Sequence, residues 1–406
     1  MKYSYVCNEC GREYAGEKIM YRCPDCAGTE LEGEMQKGNL RTVIDDGYLQ
    51  SLAGRSSISP SDFMPFSIPH VDAYPVGNTP LIGPERLRDK TGCVNLWLKN
   101  DGMNPSGSFK DRASQLIAAQ ALHYGIPTVT LASTGNAGSA MACAGAAYGL
   151  DIILFVPYTA PQNKLLQSVL YGARVIPVRG TYDTAFSLSL EYTAAHGGIN
   201  RNTGYNPMTV EGKKSISIEL FNDFNRSAPD IVYVPVGDGV IYAGVYKGFQ
   251  DLKSAGIINE LPRIIAVQST RSNAIASSWK NGTCRTIPAA STLADSISVA
   301  SPANGRMAID FIRASGSWVT EVSDDAISEA QSELASEAGT FVEPAASAAY
   351  AGFLSDLDAG RVDTKQNIVI LLTGTGFKDM QAVSNLAKVP PAVEPTLSAV
   401  ESYLNS

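Results

Sequence analysis

NPSGSFKDRAS, residues 104–114, stands where two sequence patterns meet. The short apolar run VNLWLKN (94–100) precedes it, and the Ala-rich segment DRASQLIAAQALHYG (111–125) follows it. A short apolar run is typical of a buried strand, whereas apolar residues spaced three or four apart indicate a helix. The stretch therefore predicts a strand, a small-residue turn at Ser106-Gly107-Ser108, and a helix that begins near Lys110.

The same alternation continues on the carboxyl side. Six further runs are predicted to be buried strands: TVTLA (128–132), DIILFVP (151–157), ARVIPV (173–178), DIVYVPV (230–236), RIIAVQS (263–269) and NIVILLTG (367–374). Periodic segments lie between several of them, and many of these segments end in Gly, a common helix stop. Nearly continuous apolar runs are expected of parallel strands covered on both faces. The sequence thus predicts an α/β fold with mostly parallel sheets.

The composition excludes several functional classes. The chain has 406 residues, 44% hydrophobic and 18% charged, with a net charge of −8. This length is enough for two or three domains. An acidic chain is not expected to bind nucleic acid, because phosphate binding needs a basic face. No run of eighteen apolar residues predicts a membrane span, and the first residues do not resemble a secretory signal, so a cytoplasmic protein is expected.

Two CxxC pairs stand near the N-terminus. CNEC supplies Cys7 and Cys10, and CPDC supplies Cys23 and Cys26. This spacing can present four thiolates tetrahedrally to Zn²⁺, and the metal would supply folding energy to a segment too small for a core. A structural zinc ribbon is favoured over redox chemistry, because neither pair lies in a βα unit.

Lys110 is the first candidate for chemistry. A lysine at a strand-to-helix turn can be partly desolvated, which lowers its pKa and makes the amine a usable nucleophile. The alternative is a surface lysine at a helix start, which is the more common case for this spacing alone.

Three Gly-rich turns after predicted strands add possible ligand sites. In LASTGNAGSAMA (131–142), Ser133, Thr134 and a helix start suit a carboxylate. In VPVGDGVIYAGVYKGF (234–249), the amides near Gly237 and Gly239 suit a phosphate, and no GxxxxGK[ST] or GxGxxG pattern is present. In ILLTGTGFKD (370–379), the Thr373 hydroxyl lies at the carboxyl end of a strand. Each turn taken alone is equally consistent with ordinary capping.

Taken in this order, the motifs resemble the fold-type II pyridoxal-phosphate (PLP) enzymes, the tryptophan synthase β superfamily. The resemblance covers roughly residues 75–390. Within the superfamily, DGMNPSGSFKDRAS (101–114) and NPMTVEGKKS (206–215) are similar to threonine synthase and its close relatives. Some of these also carry a four-Cys ribbon. The resemblance implies two open, mostly parallel α/β lobes with PLP between them, plus the small N-terminal ribbon, in a homodimer.

The resemblance also implies roles for individual residues. Lys110 would carry PLP as a Schiff base and move protons at the substrate α-carbon. Asn136 would bind the phenolic oxygen of PLP, and Thr373 its pyridine nitrogen, which suits elimination and replacement over transamination. The cofactor phosphate would be held by the amides of Gly237, Asp238, Gly239, Val240 and Ile241, and Val236 would also bind the cofactor. The substrate, a small amino acid, would be bound by Ser133, Thr134, Gly135, Asn202, Thr203 and Thr209.

One position departs from the threonine synthase pattern NPxRxEG. Thr209 stands where these enzymes have the Arg that grips the substrate phosphate, and Thr cannot replace a bidentate Arg. Lys213, Lys214, Arg271 and Arg306 are possible replacements.

The leading hypothesis is a threonine synthase, which converts O-phosphohomoserine and water to threonine and phosphate. The alternatives are an ammonia-lyase of serine, threonine or diaminopropionate, a β-replacement enzyme such as cysteate synthase, and an inactive zinc-ribbon binding protein.

The expected domain organisation follows from these patterns. Residues 1–35 would form the ribbon and 36–75 an irregular arm. Residues 76–114 and 213–390 would form the large PLP-binding lobe, 115–212 a small mobile lobe, and 391–406 a tail with a short helix.

Overall fold

A computed structural model describes residues 3–69, 74–387 and 389–405. The predictions for residues 1, 2, 70–73, 388 and 406, which belong to the ribbon, arm, large lobe and tail, lie outside the described residues. The chain forms three sheets, one antiparallel near the N-terminus and two mostly or wholly parallel. The predicted α/β class is confirmed.

The strands and helices are numbered in chain order. The strands are β1 (Tyr3–Cys7), β2 (Glu13–Ala15), β3 (Leu40–Ile44), β4 (Leu81–Ile82), β5 (Leu96–Asn100), β6 (Thr128–Ala132), β7 (Asp151–Pro157), β8 (Arg174–Val178), β9 (Ile199–Asn200), β10 (Ile231–Pro235), β11 (Arg263–Ser269), β12 (Val319–Val322) and β13 (Ile368–Leu372). The helices are α1 (Asp46–Gln50), α2 (Glu85–Thr91), α3 (Lys110–His123), α4 (Asn136–Tyr148), α5 (Gln162–Leu170), α6 (Tyr182–His196), α7 (Met208–Glu211), α8 (Ser215–Asp223), α9 (Val240–Ser254), α10 (Ala274–Asn281), α11 (Gly305–Ala314), α12 (Asp324–Ala338), α13 (Pro344–Asp358), α14 (Met380–Leu386) and α15 (Leu397–Leu404).

The largest sheet has the strand order β12-β11-β10-β13-β5-β4. Only β4, at one edge, runs antiparallel to its neighbour. Strand β5, which precedes Lys110, pairs with β13, and Leu96 is opposite Ile368. The carboxyl ends of parallel strands share one sheet edge, where ligands of open α/β sheets bind. The turns after β5, β10 and β13 therefore meet at that edge.

This sheet is buried on both faces, which explains its continuous apolar runs. Along β10, Val232 and Val234 face one core cluster, while Ile231 and Tyr233 face the other. Strands β11 and β13 divide their side chains between the same two clusters. Because side chains alternate along a strand, a strand covered by helices on both sides must be apolar at every position.

The second sheet is parallel throughout, in the order β8-β7-β6-β9. Strands β6 and β7 are buried almost along their whole length, as predicted. The prediction for ARVIPV is wrong in one respect: β8 forms but is mostly exposed, and Ile176 is 40% exposed. Strand β8 lies at the edge of the sheet, where fewer elements cover it, and apolar composition alone does not reveal edge position.

The N-terminal sheet has the order β2-β1-β3. Strand β3 lies in the segment predicted to be an irregular arm, and that part of the prediction is wrong. Residues 40–44 pair with β1 along its length, with Tyr5 opposite Thr42. The short helix α1 follows directly. The predicted tail helix is confirmed as α15, and no described helix is long and apolar enough to cross a membrane.

Candidate active site

Lys110 is the first residue of α3 and projects from a turn that is tied to the end of β13. The Phe109 N–H donates to the carbonyl oxygen of Thr373 at 2.8 Å, and the Thr375 N–H donates to that of Gly107 at 3.1 Å. Gly107 has a φ of +88°, a conformation that favours glycine. Two predicted site residues, Lys110 and Thr373, are thereby held on adjoining loops.

The electrostatics around Lys110 favour a reactive amine. Its side chain forms no ion pair within the described residues. Burial lowers the pKa of the amine; the carboxylates of Glu343 and Asp238 oppose that shift, and the nearby Arg201 guanidinium reinforces it. A lowered pKa leaves more of the amine neutral at ordinary pH, as nucleophilic or proton-accepting chemistry requires.

The turn before α9 forms a cradle of backbone donors. The N–H groups of residues 237–241 have no acceptor within the described residues. Gly239 has a φ of +84°, and a Cβ there would lie 2.8 Å from that of Ala308. A Cβ on Gly237 would lie 2.9 Å from the Ile297 Cα. Free N–H groups at the start of a long helix fit a phosphate.

The residues of this turn that were predicted to bind the cofactor divide into two groups. Val236 donates its N–H to the carbonyl oxygen of Val267 at 2.8 Å, so its amide is not part of the cradle, and its contact with the cofactor stays a prediction. The remaining five keep free N–H groups: Gly237, Asp238, Gly239, Val240 and Ile241. The Asp238 carboxylate is not part of this cradle of N–H groups; it accepts a hydrogen bond from the Ala303 N–H at 3.1 Å.

The loop between β6 and α4 faces the Lys110 turn. The Ser133 hydroxyl oxygen accepts from the N–H groups of Gly135 and Gly138, at 3.3 and 3.1 Å, and so caps α4. The Thr134 hydroxyl makes no hydrogen bond within the described residues, and Gly135 is exposed. Asn136, the first residue of α4, is 8% exposed. Thr134 and the helix start are therefore the open donors of this loop.

Glu343 belongs to the same cluster, and the sequence analysis missed it. Its carboxylate accepts from the Asn136 side-chain amide at 2.9 and 3.1 Å and from the Ser296 hydroxyl at 3.3 Å. Glu343 is 3% exposed, and burial raises its pKa. The signal was a lone carboxylate in the apolar stretch FVEPAA, where a solvated glutamate is not expected.

The segment that follows β9 accounts for the other three predicted substrate residues. The Asn202 side chain accepts from the Ala132 N–H at 2.7 Å and donates to Ser189 at 2.8 Å. The Thr209 hydroxyl is fully buried and donates to the carbonyl oxygen of Asn206 at 2.7 Å. Internal hydrogen bonds therefore hold the side chains of Asn202 and Thr209, and their substrate contacts stay predictions. Thr203 accepts from Arg201 at 2.6 Å.

The cations considered as replacements for the missing Arg mostly have other partners. Lys214 pairs with Glu211 and Asp251, both at 2.7 Å. Arg271 is exposed beside Asp324, and Arg306 donates to the Met35 carbonyl oxygen. Lys213 remains: it is fully buried and donates to the carbonyl oxygen of Thr209 at 2.8 Å.

Arg201 was not predicted. It is fully buried, and its Nε and Nη2 atoms have no hydrogen-bond partner in the described chain. Its context, the Gly- and Asn-rich segment GGINRNTG, gave no sequence signal for a binding arginine.

The four ribbon cysteines fit a zinc ion. Their sulfur atoms lie within 4.8 Å of one another, and those of Cys10 and Cys23 are 3.9 Å apart. Tetrahedral thiolates at Zn–S distances of about 2.3 Å stand about 3.8 Å apart. None of the four is in a disulfide. The predicted metal ligands Cys7, Cys10, Cys23 and Cys26 are thus gathered in one cluster.

The ribbon also contacts the segment after β9. Tyr21 stacks on Tyr205 with ring centroids 4.8 Å apart, and its hydroxyl oxygen accepts from the Asn200 N–H at 2.9 Å. The Asn39 side chain donates to the carbonyl oxygens of Gly204 and Ala303, each at 2.9 Å. Asn39, which directly precedes β3, therefore bridges the Arg201 segment and the loop that contacts Asp238.

Comparisons with known proteins agree with this geometry. Residues 73–374 match the family described as pyridoxal-phosphate dependent enzyme. The chain is 32% identical to a threonine synthase of Methanosarcina acetivorans over 99% of this chain and 98% of the relative. It is 32% identical to that of Methanocaldococcus jannaschii over 98% of each. Among solved structures, the processed form of threonine deaminase isoform 2 from Solanum lycopersicum has a TM-score of 0.66 at 22% identity, covering 92% of this chain and 98% of that one. Maize serine racemase also has a TM-score of 0.66, at 20% identity, covering 84% and 96%.

Proposed function

Since this chain belongs to the family of pyridoxal-phosphate-dependent enzymes, and within it to the threonine synthases, we propose that it converts O-phosphohomoserine and water to threonine and phosphate. The observation that carries the proposal is the match to threonine synthases over almost the whole chain, ribbon included. The active-site cluster supports it, because Lys110 and the free amides of 237–241 lie at one edge of the six-stranded sheet, and Asn136 of the four-stranded sheet contacts Glu343 there.

The residues fit PLP. The N–H groups of residues 237–241 would hold its phosphate, Lys110 would bond to its aldehyde carbon, Asn136 would donate to its phenolic oxygen, and the Thr373 hydroxyl would face its pyridine nitrogen. When bound, PLP supplies an electron sink for negative charge that develops at the substrate carbons. Thr134 and the start of α4 would bind the substrate carboxylate.

Lys110 is the proton carrier of the reaction. Its neutral amine takes a proton from the substrate α-carbon and then one from the β-carbon. Phosphate leaves the γ-carbon with its bonding electron pair, and a proton returns to that carbon. Water adds its hydroxyl group at the β-carbon, and its remaining proton goes to the departing phosphate. Lys110 returns a proton to the α-carbon, which completes threonine. Burial of Lys110 supports this role because it keeps the amine partly neutral.

A second candidate is a β-replacement enzyme acting on O-phosphoserine, of the cysteate synthase kind. The observation that favours it is Thr209, which is buried and internally hydrogen bonded where threonine synthases have Arg. A different phosphate contact could accompany a shorter phosphorylated substrate.

The proposal also includes the cellular location, the oligomeric state and the two lobes of the enzyme. It works in the cytoplasm, supported by its unpaired cysteines, and as a homodimer, supported by the family resemblance. Residues 115–212 form the small lobe that closes over the substrate, and the segments 76–114 and 213–390 form the large lobe. The four-stranded and six-stranded sheets support this division.

The test is phosphate release by purified, PLP-loaded protein offered O-phosphohomoserine, with threonine measured in the same reaction. Wild type should release phosphate and form threonine in equal amounts, and Lys110→Ala should form neither. Phosphate release without threonine, or no release, would reject the threonine synthase activity. O-phosphoserine with sulfite then tests the second candidate, and a 2-oxo acid formed from serine or threonine would identify an ammonia-lyase.

A further inference from the structure

Arg201 has an unusual environment for a buried arginine. Its guanidinium is fully buried, and its one hydrogen bond is from Nη1 to the Thr203 hydroxyl oxygen at 2.6 Å. Nε and Nη2 have no partner within the described residues, and no carboxylate pairs with this side chain there. By contrast, the buried Arg112 contacts both Asp101 and Glu219. A buried guanidinium with free donors lacks the anion that would offset its desolvation.

The backbone places Arg201 at the same edge as the substrate loop. Arg201 directly follows β9, and its N–H donates to the Thr130 carbonyl oxygen at 2.8 Å. The next residue, Asn202, accepts from the N–H of Ala132, the last residue of β6. The loop that begins at Ser133 follows at once. Arg201 is therefore anchored beside the loop that would bind the substrate carboxylate.

A second cation shares this environment. Lys213 is fully buried, and within the described part of the chain its amine has one hydrogen-bond partner, the carbonyl oxygen of Thr209. Burial lowers the pKa of Lys213, and the neighbouring charges of Arg201 and Lys110 lower it further. Burial likewise lowers the pKa of Arg201 to about 10. A bound anion would stabilise the charged form of each of these two cations.

The cofactor phosphate does not account for this anion. The free N–H groups of 237–241, at the start of α9, already form a complete phosphate cradle on the six-stranded sheet. Arg201 belongs to the four-stranded sheet, beside β6. The unmatched charge of Arg201 thus lies on the substrate side of the site, whereas Lys213 packs on α9 and also interacts with the charge of Asp238 in the cradle.

We propose that Arg201, assisted by Lys213, binds the phosphate group of the substrate and so replaces the arginine that this chain lacks at position 209. This inference rests on the proposed function and narrows it to phosphorylated amino acids. A guanidinium presents paired donors that match a phosphate, and the two free donor atoms of Arg201 meet that requirement. Neutral serine or threonine would leave the guanidinium unpaired.

The test compares Arg201→Gln with Arg271→Gln in the PLP-loaded protein. Arg271 is a matched control, because its side chain is exposed and pairs with Asp324. Binding of inorganic phosphate is measured by calorimetry, which needs no turnover. Arg201→Gln should weaken phosphate binding by about 10- to 100-fold, the loss expected for a charge-assisted hydrogen-bonded pair, while Arg271→Gln should match wild type. PLP content, read from the cofactor absorbance, should not change.

Kinetics with O-phosphohomoserine give the second measurement. Arg201→Gln should raise KM by a similar factor, and Arg201→Lys should recover part of the loss. If Arg201→Gln does not fold, Thr203→Val, which removes the hydroxyl that orients Arg201, should weaken phosphate binding in the same direction.

Three results would overturn the inference: no phosphate binding by wild type, unchanged phosphate binding by Arg201→Gln, or loss of PLP from that variant. Failure of wild type to use O-phosphohomoserine would reject only the proposed reaction, since the phosphate titration judges Arg201 separately.

Discussion

The side-chain amide of Asn136 is directed at the carboxylate of Glu343, with N–O distances of 2.9 and 3.1 Å to its two oxygens. Asn136 begins a helix of the four-stranded sheet, whereas Glu343 immediately precedes α13, which packs on the six-stranded sheet. A single buried carboxylate therefore connects the two parallel sheets at the point where Lys110 projects. Because the contact is buried, its loss should be measurable in both stability and cofactor binding.

Glu343→Ala should lower the free energy of unfolding of PLP-free protein by about 1–3 kcal/mol, because it leaves the Asn136 amide and the Ser296 hydroxyl without an acceptor. The loss should be smaller in PLP-loaded protein, where the cofactor oxygen can accept from Asn136. Urea denaturation of both forms measures the difference. Equal stability of Glu343→Ala and wild type in the PLP-free form would contradict this prediction.

Asp111 should make stability depend on pH. Its carboxylate accepts from the Tyr74 hydroxyl at 2.6 Å and from the Ser106 hydroxyl at 2.7 Å, yet burial raises its pKa to about 6. A folded-state pKa above the unfolded value gives stability that is fully present below about pH 4 and is lost as the pH rises through about 6. The Asn side chain of Asp111→Asn does not titrate. The free energy of unfolding of this variant, relative to that of wild type, should therefore rise by up to roughly 3 kcal/mol between pH 4 and 7.

Urea denaturation across that pH range tests the Asp111 prediction. The exposed Asp358→Asn is the control and should follow wild type. A constant difference between Asp111→Asn and wild type at every pH would show that Asp111 does not titrate in this range.

Arg112→Met should destabilise the protein by about 3–5 kcal/mol, because it leaves the buried Asp101 without a cation and Glu219 with only Lys99, at 3.4 Å. Arg112 donates to Asp101 at 2.6 and 2.9 Å and to Glu219 at 2.6 and 2.8 Å. Although burial opposes ionisation of Glu219, the Arg112 charge holds its pKa down at about 2. Thermal or urea unfolding measures the loss. Arg86→Met, which breaks an exposed ion pair with Glu337, should lower the free energy of unfolding by less than about 1 kcal/mol. Equal losses in the two variants would contradict the importance of the buried contacts of Arg112 with Asp101 and Glu219.

Removal of zinc should weaken substrate binding, although the ribbon does not touch Lys110. Asn39 and Tyr21 hold the segment after β9 through Gly204, Asn200 and Tyr205. A chelator or Cys23→Ser should unfold the ribbon and raise KM for O-phosphohomoserine, with PLP retained. Asn39→Ala tests the contact alone, and its loss of two hydrogen bonds should raise KM by about 3- to 30-fold at unchanged zinc content. An unchanged KM in both variants would separate the ribbon from the site.

The sequence predicted the longer parallel strands because burial on two faces makes them apolar throughout, as in β10 and β13, but it missed the short parallel strands β9 and β12. The sequence was a poorer guide to strand exposure and strand existence where these depend on the position of a segment in the folded chain. Strand β8 has the same composition but lies at an edge, and β3 was hidden in a polar segment because one small antiparallel sheet needs few apolar residues. Within the site, Lys110 and the 237–241 turn were found from local spacing. Glu343 and Arg201 were missed, because their importance comes from what surrounds them after folding, and neighbours distant in sequence decide that.

The pairing of β5 with β13 has a consequence for how the chain is made. Strand β5, which contains Leu96, cannot pair with β13 until Ile368 has been synthesised. The four-stranded sheet, by contrast, is complete once residue 200 has been synthesised. On the ribosome, the nascent four-stranded sheet can therefore fold first, while β5 remains as an apolar strand without its central partner. Non-local pairing of this kind is slow and exposes aggregation-prone surface. The pairing of β5 with β13 brings Lys110 and Thr373 together. The active site can therefore form only after residues 368–372 have been synthesised.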